Sequence, residues 1–189
     1  MESIRSFLAL ELGFYFKDDI ARVINKLKTS SAKIKWIKPE IAHITLHFFG
    51  NLSLEQIETL TPPLAELALQ FIPLQLRLDT VGVFPSIKKP RVIWIGLQGD
   101  IDSLQSLKNQ LDSVLKKHGF VPDEKKFVPH LTIGRVKEFN RDYELVQRIT
   151  SFTFSSEIFA TVKELIFFKS TLTPHGPHYT AMKTFPFRE

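Results

Sequence analysis

The spacing of apolar positions changes repeatedly along the chain. Phe7 to Phe16 (FLALELGFYF) is dense in apolar side chains broken by Glu11, and it reads as a buried strand. Ile20, Val23, Ile24 and Leu27 then fall at i, i+3, i+4 and i+7, one face of a helix that Asp18 or Asp19 is placed to cap. Ile34 to Ile37 leads through Pro39 into a strand from Ile41 to Phe49, closed by Gly50 and Asn51. Ser53 with Gln56 has the spacing of a capping box for a helix carrying Leu54, Ile57 and Leu60. Pro62 and Pro63 are expected to kink that helix or restart it before Leu64 and Leu67.

The second half follows a similar order. Leu74 to Leu78 alternates and Arg91 to Leu97 reads as a strand. Asp102 can cap a helix with Leu104, Leu107, Leu111, Val114 and Leu115 that ends at Gly119. Phe127 to Arg135 is a further strand and Tyr143 to Ile149 a short helix. Val162 to Ser170 and Tyr179 to Phe185 are strands joined by the turn Thr173-Pro174-His175-Gly176-Pro177. Strands and helices without strict βαβ alternation predict an α+β fold with largely antiparallel sheet. No linker, low-complexity tract or block of like charge marks a boundary, so residues 1–189 read as a single domain.

Composition narrows the class. With 189 residues, 43% hydrophobic and 24% charged, the chain can bury a sizeable core and is neither disordered nor a helical membrane protein. The apolar start is interrupted by Glu11, preceded only by Arg5 and followed by no small-residue cleavage site, which argues against a secretory signal and for a cytoplasmic protein. The absence of cysteine excludes disulfides, thiolate metal sites and a thiol nucleophile. A net charge of +5 suits an anionic partner but selects none.

The chemistry lies in a repeated segment. Ala42-His43-Ile44-Thr45-Leu46 matches Pro129-His130-Leu131-Thr132-Ile133: each is His-x-Thr-x with apolar x in a strand pattern. Alternation puts His43 and Thr45 on one face, Ile44 and Leu46 on the other, and the same holds for His130 and Thr132. A lone His-x-Thr is ordinarily a solvent-facing polar pair or a satisfied core histidine. Two copies in corresponding elements imply two similar lobes about an approximate two-fold, with both polar pairs at one cleft.

These paired motifs resemble those of the 2H phosphoesterases, in particular the LigT-like RNA 2',3'-cyclic phosphodiesterase (2'-5' RNA ligase) branch. The resemblance runs through Arg5-Ser6-Phe7-Leu8-Ala9-Leu10, Trp36, Pro39-Glu40, Phe48-Phe49-Gly50, Gly82-Val83-Phe84-Pro85, Pro90-Arg91-Val92-Ile93-Trp94, Phe127 to Arg135 and Gly176-Pro177-His178-Tyr179. It implies two pseudo-symmetric lobes, each a mainly antiparallel sheet with helices outside, and a metal-independent, cofactor-free hydrolase that opens RNA 2',3'-cyclic phosphate ends to 2'-phosphates. The resemblance also implies His43 as proton donor, His130 as proton acceptor and Thr45 and Thr132 as phosphate contacts, with 2'-5' end joining as a related activity. Ile41-Ala42 departs from the family pattern, which often carries Asn just before the first motif histidine.

Arg135 is a further candidate for the phosphate. It lies an odd number of residues past His130 and so points inward only if Gly134 permits a bulge. His47 shares the strand phase of His43 and is expected to line the cleft or its rim. Phe7, Phe48 or Phe84 offers a face on which a base can stack, and Tyr179 borders the site. His175 and His178 read as surface residues and Lys88, Lys89 and Arg91 as a solvated basic loop. The expected partners are RNA ends with cyclic phosphate, tRNA fragments among them, bound by a monomer. The competing readings are a noncatalytic RNA- or nucleotide-binding protein, and a metallohydrolase on His43, His47, His130 and one turn histidine, disfavoured because the motifs carry Thr where a metal site would want carboxylate.

Overall fold

The computed structural model describes residues 3–28, 32–122, 126–139, 143–174 and 176–189. Among these residues, nine strands form two antiparallel sheets. The first sheet has the order β3 (His43–Leu52), β1 (Ile4–Glu11), β8 (Glu164–Thr173), β9 (Gly176–Pro186). The second has the order β2 (Lys33–Trp36), β6 (His130–Glu138), β5 (Val92–Gly99), β4 (Leu74–Phe84), β7 (Ala160–Val162). The α+β expectation with two lobes holds, but the lobes are not the two halves of the chain. Strand β2 leaves the N-terminal half to pair with β6, while the C-terminal hairpin β8–β9 completes the first sheet beside β1. Aligned by position, β3-β1-β8-β9 corresponds to β6-β5-β4-β7.

Among the described residues, four α-helices complete the fold: α1 (Lys17–Leu27), α2 (Leu54–Ala68), α3 (Ile101–Lys117) and α4 (Tyr143–Ser151). The predicted N-terminal strand stops at Glu11, and residues 13–16 turn into α1. Helix α1 starts at Phe16 without a side-chain cap; Asp18 and Asp19 sit inside its first turn, where they complement the helix dipole. Phe16 is fully buried, so packing rather than capping fixes this start. The Ser53–Gln56 capping box is present in both directions. Helix α3 likewise starts at Asp100, not Asp102; the Asp100 carboxylate accepts the Gln75 N–H at 2.7 Å and ties the helix to β4 instead of capping it.

Pro62 and Pro63 do not restart α2, which is one helix from Leu54 to Ala68. An interior proline costs about 3 kcal/mol, while each fully buried aliphatic side chain contributes about 1.5–3 kcal/mol. Ile57, Leu60, Leu64 and Leu67 are all buried along one stripe, enough to carry the helix through two missing N–H groups. Strand β3 also runs past Gly50, whose φ of +72° lets the chain bulge where an L side chain would be strained.

Each sheet has an apolar face and a cleft face. Leu8, Leu10, Ile44 and Leu46 of the first sheet join Ile93, Ile95, Leu131 and Ile133 of the second, together with residues of all four helices, in one buried cluster. The opposite faces meet where β3 approaches β6. Among the described residues, no helix is long and apolar enough to cross a membrane.

Candidate active site

One backbone irregularity, used twice, builds the site. In β3, Ala9 pairs with Thr45 and Leu8 with His47, so Leu46 is an extra, bulged residue. In β6, Trp94 pairs with Thr132 and Ile93 with Gly134, so Ile133 is the extra residue. Each His-x-Thr-x motif therefore ends on a β-bulge. Its fourth residue and the one after both turn to the core, and the fifth residue past the histidine returns to the cleft face. That fifth residue is Phe48 in the first lobe and Arg135 in the second, and both line the cleft. The bulge foreseen at Gly134 falls one residue earlier and turns Arg135 inward as required. The same device overturns the expectation for His47, which is swung to the core side, is 3% exposed and meets the edge of Phe49 at 4.6 Å.

The two histidines are held alike. His43 Nδ1 lies 2.9 Å from the Ile41 carbonyl, and His130 Nδ1 lies 2.6 Å from the Val128 carbonyl, each two residues upstream. A carbonyl only accepts, so Nδ1 carries the proton and Nε2 is left as the reactive nitrogen. His43 stacks on Phe7 at 4.9 Å and meets the edge of Tyr179 at 5.1 Å. His130 meets Phe84 at 5.0 Å and Trp94 at 6.1 Å.

Burial pushes both imidazoles below their ordinary pKa. The tethering carbonyls pull upward, and the Arg135 charge pushes both down, with the His130 charge adding to that on His43. The cleft by itself therefore favours two neutral rings.

The cleft has a volume of about 510 Å³. Thr45 and Thr132 line it beside His43, as does Tyr179, whose phenol burial holds protonated beyond the ordinary range against the opposing charges of Arg135 and Arg5. His130 is not among the lining residues, though Thr132 and Arg135 of its strand are, and its charge acts on His43. Of the three candidate aromatics, Phe7 is 1% exposed and already covered, Phe84 packs against His130 and is not among the lining residues, and Phe48 is 51% exposed on the cleft wall. Sequence reasoning missed three cations that also line the cleft, Arg5, Lys35 and Lys137. Strand alternation from Phe7 could have flagged Arg5; Lys35 and Lys137 depend on a strand pairing that local sequence does not carry. Lys88, Lys89 and Arg91 lie outside the lining residues, as does exposed His178, and His175 lies outside the described residues. Among the described residues, no group of three or more His, Cys, Asp or Glu could hold a metal ion.

Two antiparallel sheets that each present a His-x-Thr-x strand to one basic cleft define a two-histidine, bilobal class. A model of the 2'-5' RNA ligase superfamily matches residues 16–174. A Methanothermobacter thermautotrophicus protein named RNA 2',3'-cyclic phosphodiesterase is 34% identical over 185 residues, 96% of this chain and 98% of its own length. An Aquifex aeolicus protein of the same name is 32% identical over 191 residues, 98% of each. Among solved structures, TT0787 of Thermus thermophilus matches with a TM-score of 0.79 at 23% identity, covering 98% of both chains. E. coli LigT complexed with 3'-AMP matches with a TM-score of 0.75 at 23% identity over 100% of both. The chain belongs to the 2'-5' RNA ligase superfamily.

Proposed function

We propose that the chain hydrolyses RNA ends carrying a 2',3'-cyclic phosphate to 2'-phosphomonoesters, using two histidines and no metal. What supports this reading is the pair of histidines, each tethered through Nδ1 so that Nε2 is reactive, on strands of two sheets whose threonines line one cleft together with cations. The names of the full-length relatives support the substrate class.

His130 Nε2 takes a proton from water as the water oxygen bonds to phosphorus. His43 Nε2–H gives its proton to O3' as the P–O3' bond breaks in line on the opposite side, leaving a 2'-phosphate and a 3'-hydroxyl. The Thr45 and Thr132 hydroxyls donate to the non-bridging oxygens, and the Arg135 guanidinium offsets their growing charge. Phe48 supplies the open ring for the terminal base. Because His43 is the more deeply buried ring, its donor role depends on the bound phosphate anion, which favours the imidazolium that the cleft by itself disfavours. With a ribose hydroxyl of a second RNA in place of water, the same groups would join ends, the activity in the superfamily's name.

The test is incubation of pure protein with an oligonucleotide ending in 2',3'-cyclic phosphate, with and without EDTA. A 2'-phosphate product formed equally in both is expected. Substrate bound but unchanged would instead identify a binding protein, and cleavage lost in EDTA and restored by a divalent ion would sink the two-histidine reading.

A further inference from the structure

Three of the cations in the cleft, Arg5, Lys35 and Lys137, have no task in the hydrolytic step, and the two lysines stand together beside Arg135. Lys35 is in register with Arg135 across the β2–β6 pair, so it emerges on the same face one strand away, about 4.8 Å by the usual spacing. Lys137 is the extra residue of a further bulge, where Lys33 pairs with Glu138 and Ile34 with Val136, and it too lines the cleft. The neighbouring carboxylate, Glu138, is taken by Lys33 at 2.8 Å. Among the described residues, no ion pair engages Lys35, Lys137 or Arg135.

The position of the two lysines is as informative as their charge. Both lie further along the sheet from His130 than Thr132 does. The Lys35 ammonium reaches the tip of the β8–β9 hairpin, 3.7 Å from where a Cβ on Gly176 would stand. They mark the end of the cleft where the second sheet's edge meets the first sheet's hairpin. A nucleoside 2',3'-cyclic phosphate has one phosphorus, already met by the histidines, the threonines and Arg135. An RNA end brings another phosphate one nucleotide back, and these lysines stand one strand spacing or one short step beyond Arg135.

We propose that Lys35 and Lys137 form a second phosphate subsite that holds the phosphodiester 5' to the terminal nucleotide, making the chain selective for RNA ends over free nucleoside cyclic phosphates. This rests on the hydrolase reading above. The subsite is charge recognition without base contacts, so the preference is for chain length and not for sequence.

The experiment compares kcat/KM for cytidine 2',3'-cyclic phosphate with that for a pentanucleotide ending in the same cyclic nucleotide, in the native chain, in Lys35→Gln/Lys137→Gln and in Lys35→Arg/Lys137→Arg. The native chain is expected to favour the pentanucleotide. The Gln pair should lower the pentanucleotide-to-mononucleotide ratio about tenfold, the size of a lost charged hydrogen bond. It should also flatten the pentanucleotide's log–log salt dependence by about 0.7 for the one phosphate contact removed. The Arg pair should restore both. Equal losses on the two substrates, no loss on either, or no native preference would overturn the subsite. If neither substrate is opened the hydrolase reading fails, and fluorescence anisotropy decides the subsite: it stands if the Gln pair weakens pentanucleotide binding more than mononucleotide binding, and falls otherwise.

Discussion

The two half-sites share a backbone and differ in what they carry. In both, a strand brings in a histidine tied by Nδ1 to its own upstream carbonyl, then a threonine on the same face, then a bulge. The first half-site surrounds its histidine with Phe7 and Tyr179 and ends its bulge on Phe48; the second leaves His130 more open against Phe84 and Trp94 and ends on Arg135. A repeated strand device has been loaded with an aromatic ring on one side and a fixed charge on the other. The pairing suits a ligand that is itself two-sided, with a base at one end and a phosphate at the other.

The largest expected effects come from removing what the halves have in common. His43→Ala and His130→Ala should each lower kcat by roughly 10² to 10⁴, and the double variant should be little worse than either, because base and acid act as a unit in one displacement. The halves then part under a change of leaving group. A cyclic substrate with sulfur in place of O3' expels a thiolate that needs no protonation. It should restore turnover in His43→Ala and leave His130→Ala slow. Rescue of His130→Ala instead would exchange the two roles.

Smaller effects follow from the residues that differ. Arg135→Ala should lower kcat by about 10², the scale of one lost transition-state donor, measured at saturating substrate. Phe48→Ala should leave kcat largely intact and raise KM, with a loss of about 1–3 kcal/mol for one stacked base. A Phe48 variant that lost kcat at constant KM would contradict the division between base-holding and charge-holding halves.

These contrasts show what local sequence carries. The motif pair, the α+β class, the Ser53–Gln56 capping box and the core stripes are set by neighbours in the chain, and all were legible. The bulges are not, because an extra residue is defined by the partner strand's register. Gly134 gave a hint that Arg135 turns inward; Thr45-Leu46-His47 has no glycine and gave none, so simple alternation misassigned His47. Lys35 was missed for a related reason: its importance follows from pairing with Arg135, a hundred residues away on a strand of the other half.

The smallest effect is a displacement of the pH profile, and it tests whether Arg135 acts on both halves at once. Burial and the Arg135 charge both hold His43 and His130 below the ordinary 6.5 in the free protein. kcat/KM reports ionisations of the free protein. It rises as the base loses its proton and falls as the acid loses its own, so the falling limb should lie acid of 6.5. Arg135→Gln deletes a positive charge that disfavours both imidazoliums. Each ring then keeps its proton to higher pH, and both limbs should move in the alkaline direction, by less as salt is raised. A bound phosphate has the same sign of effect, so in the native chain the falling limb of kcat should lie above that of kcat/KM. Because this is a change in the position of the curve, it is separable from the loss of amplitude that Arg135→Gln also causes. Limbs that stay in place or move toward acid would mean that Arg135 serves the phosphate alone and that the two histidines do not share its field.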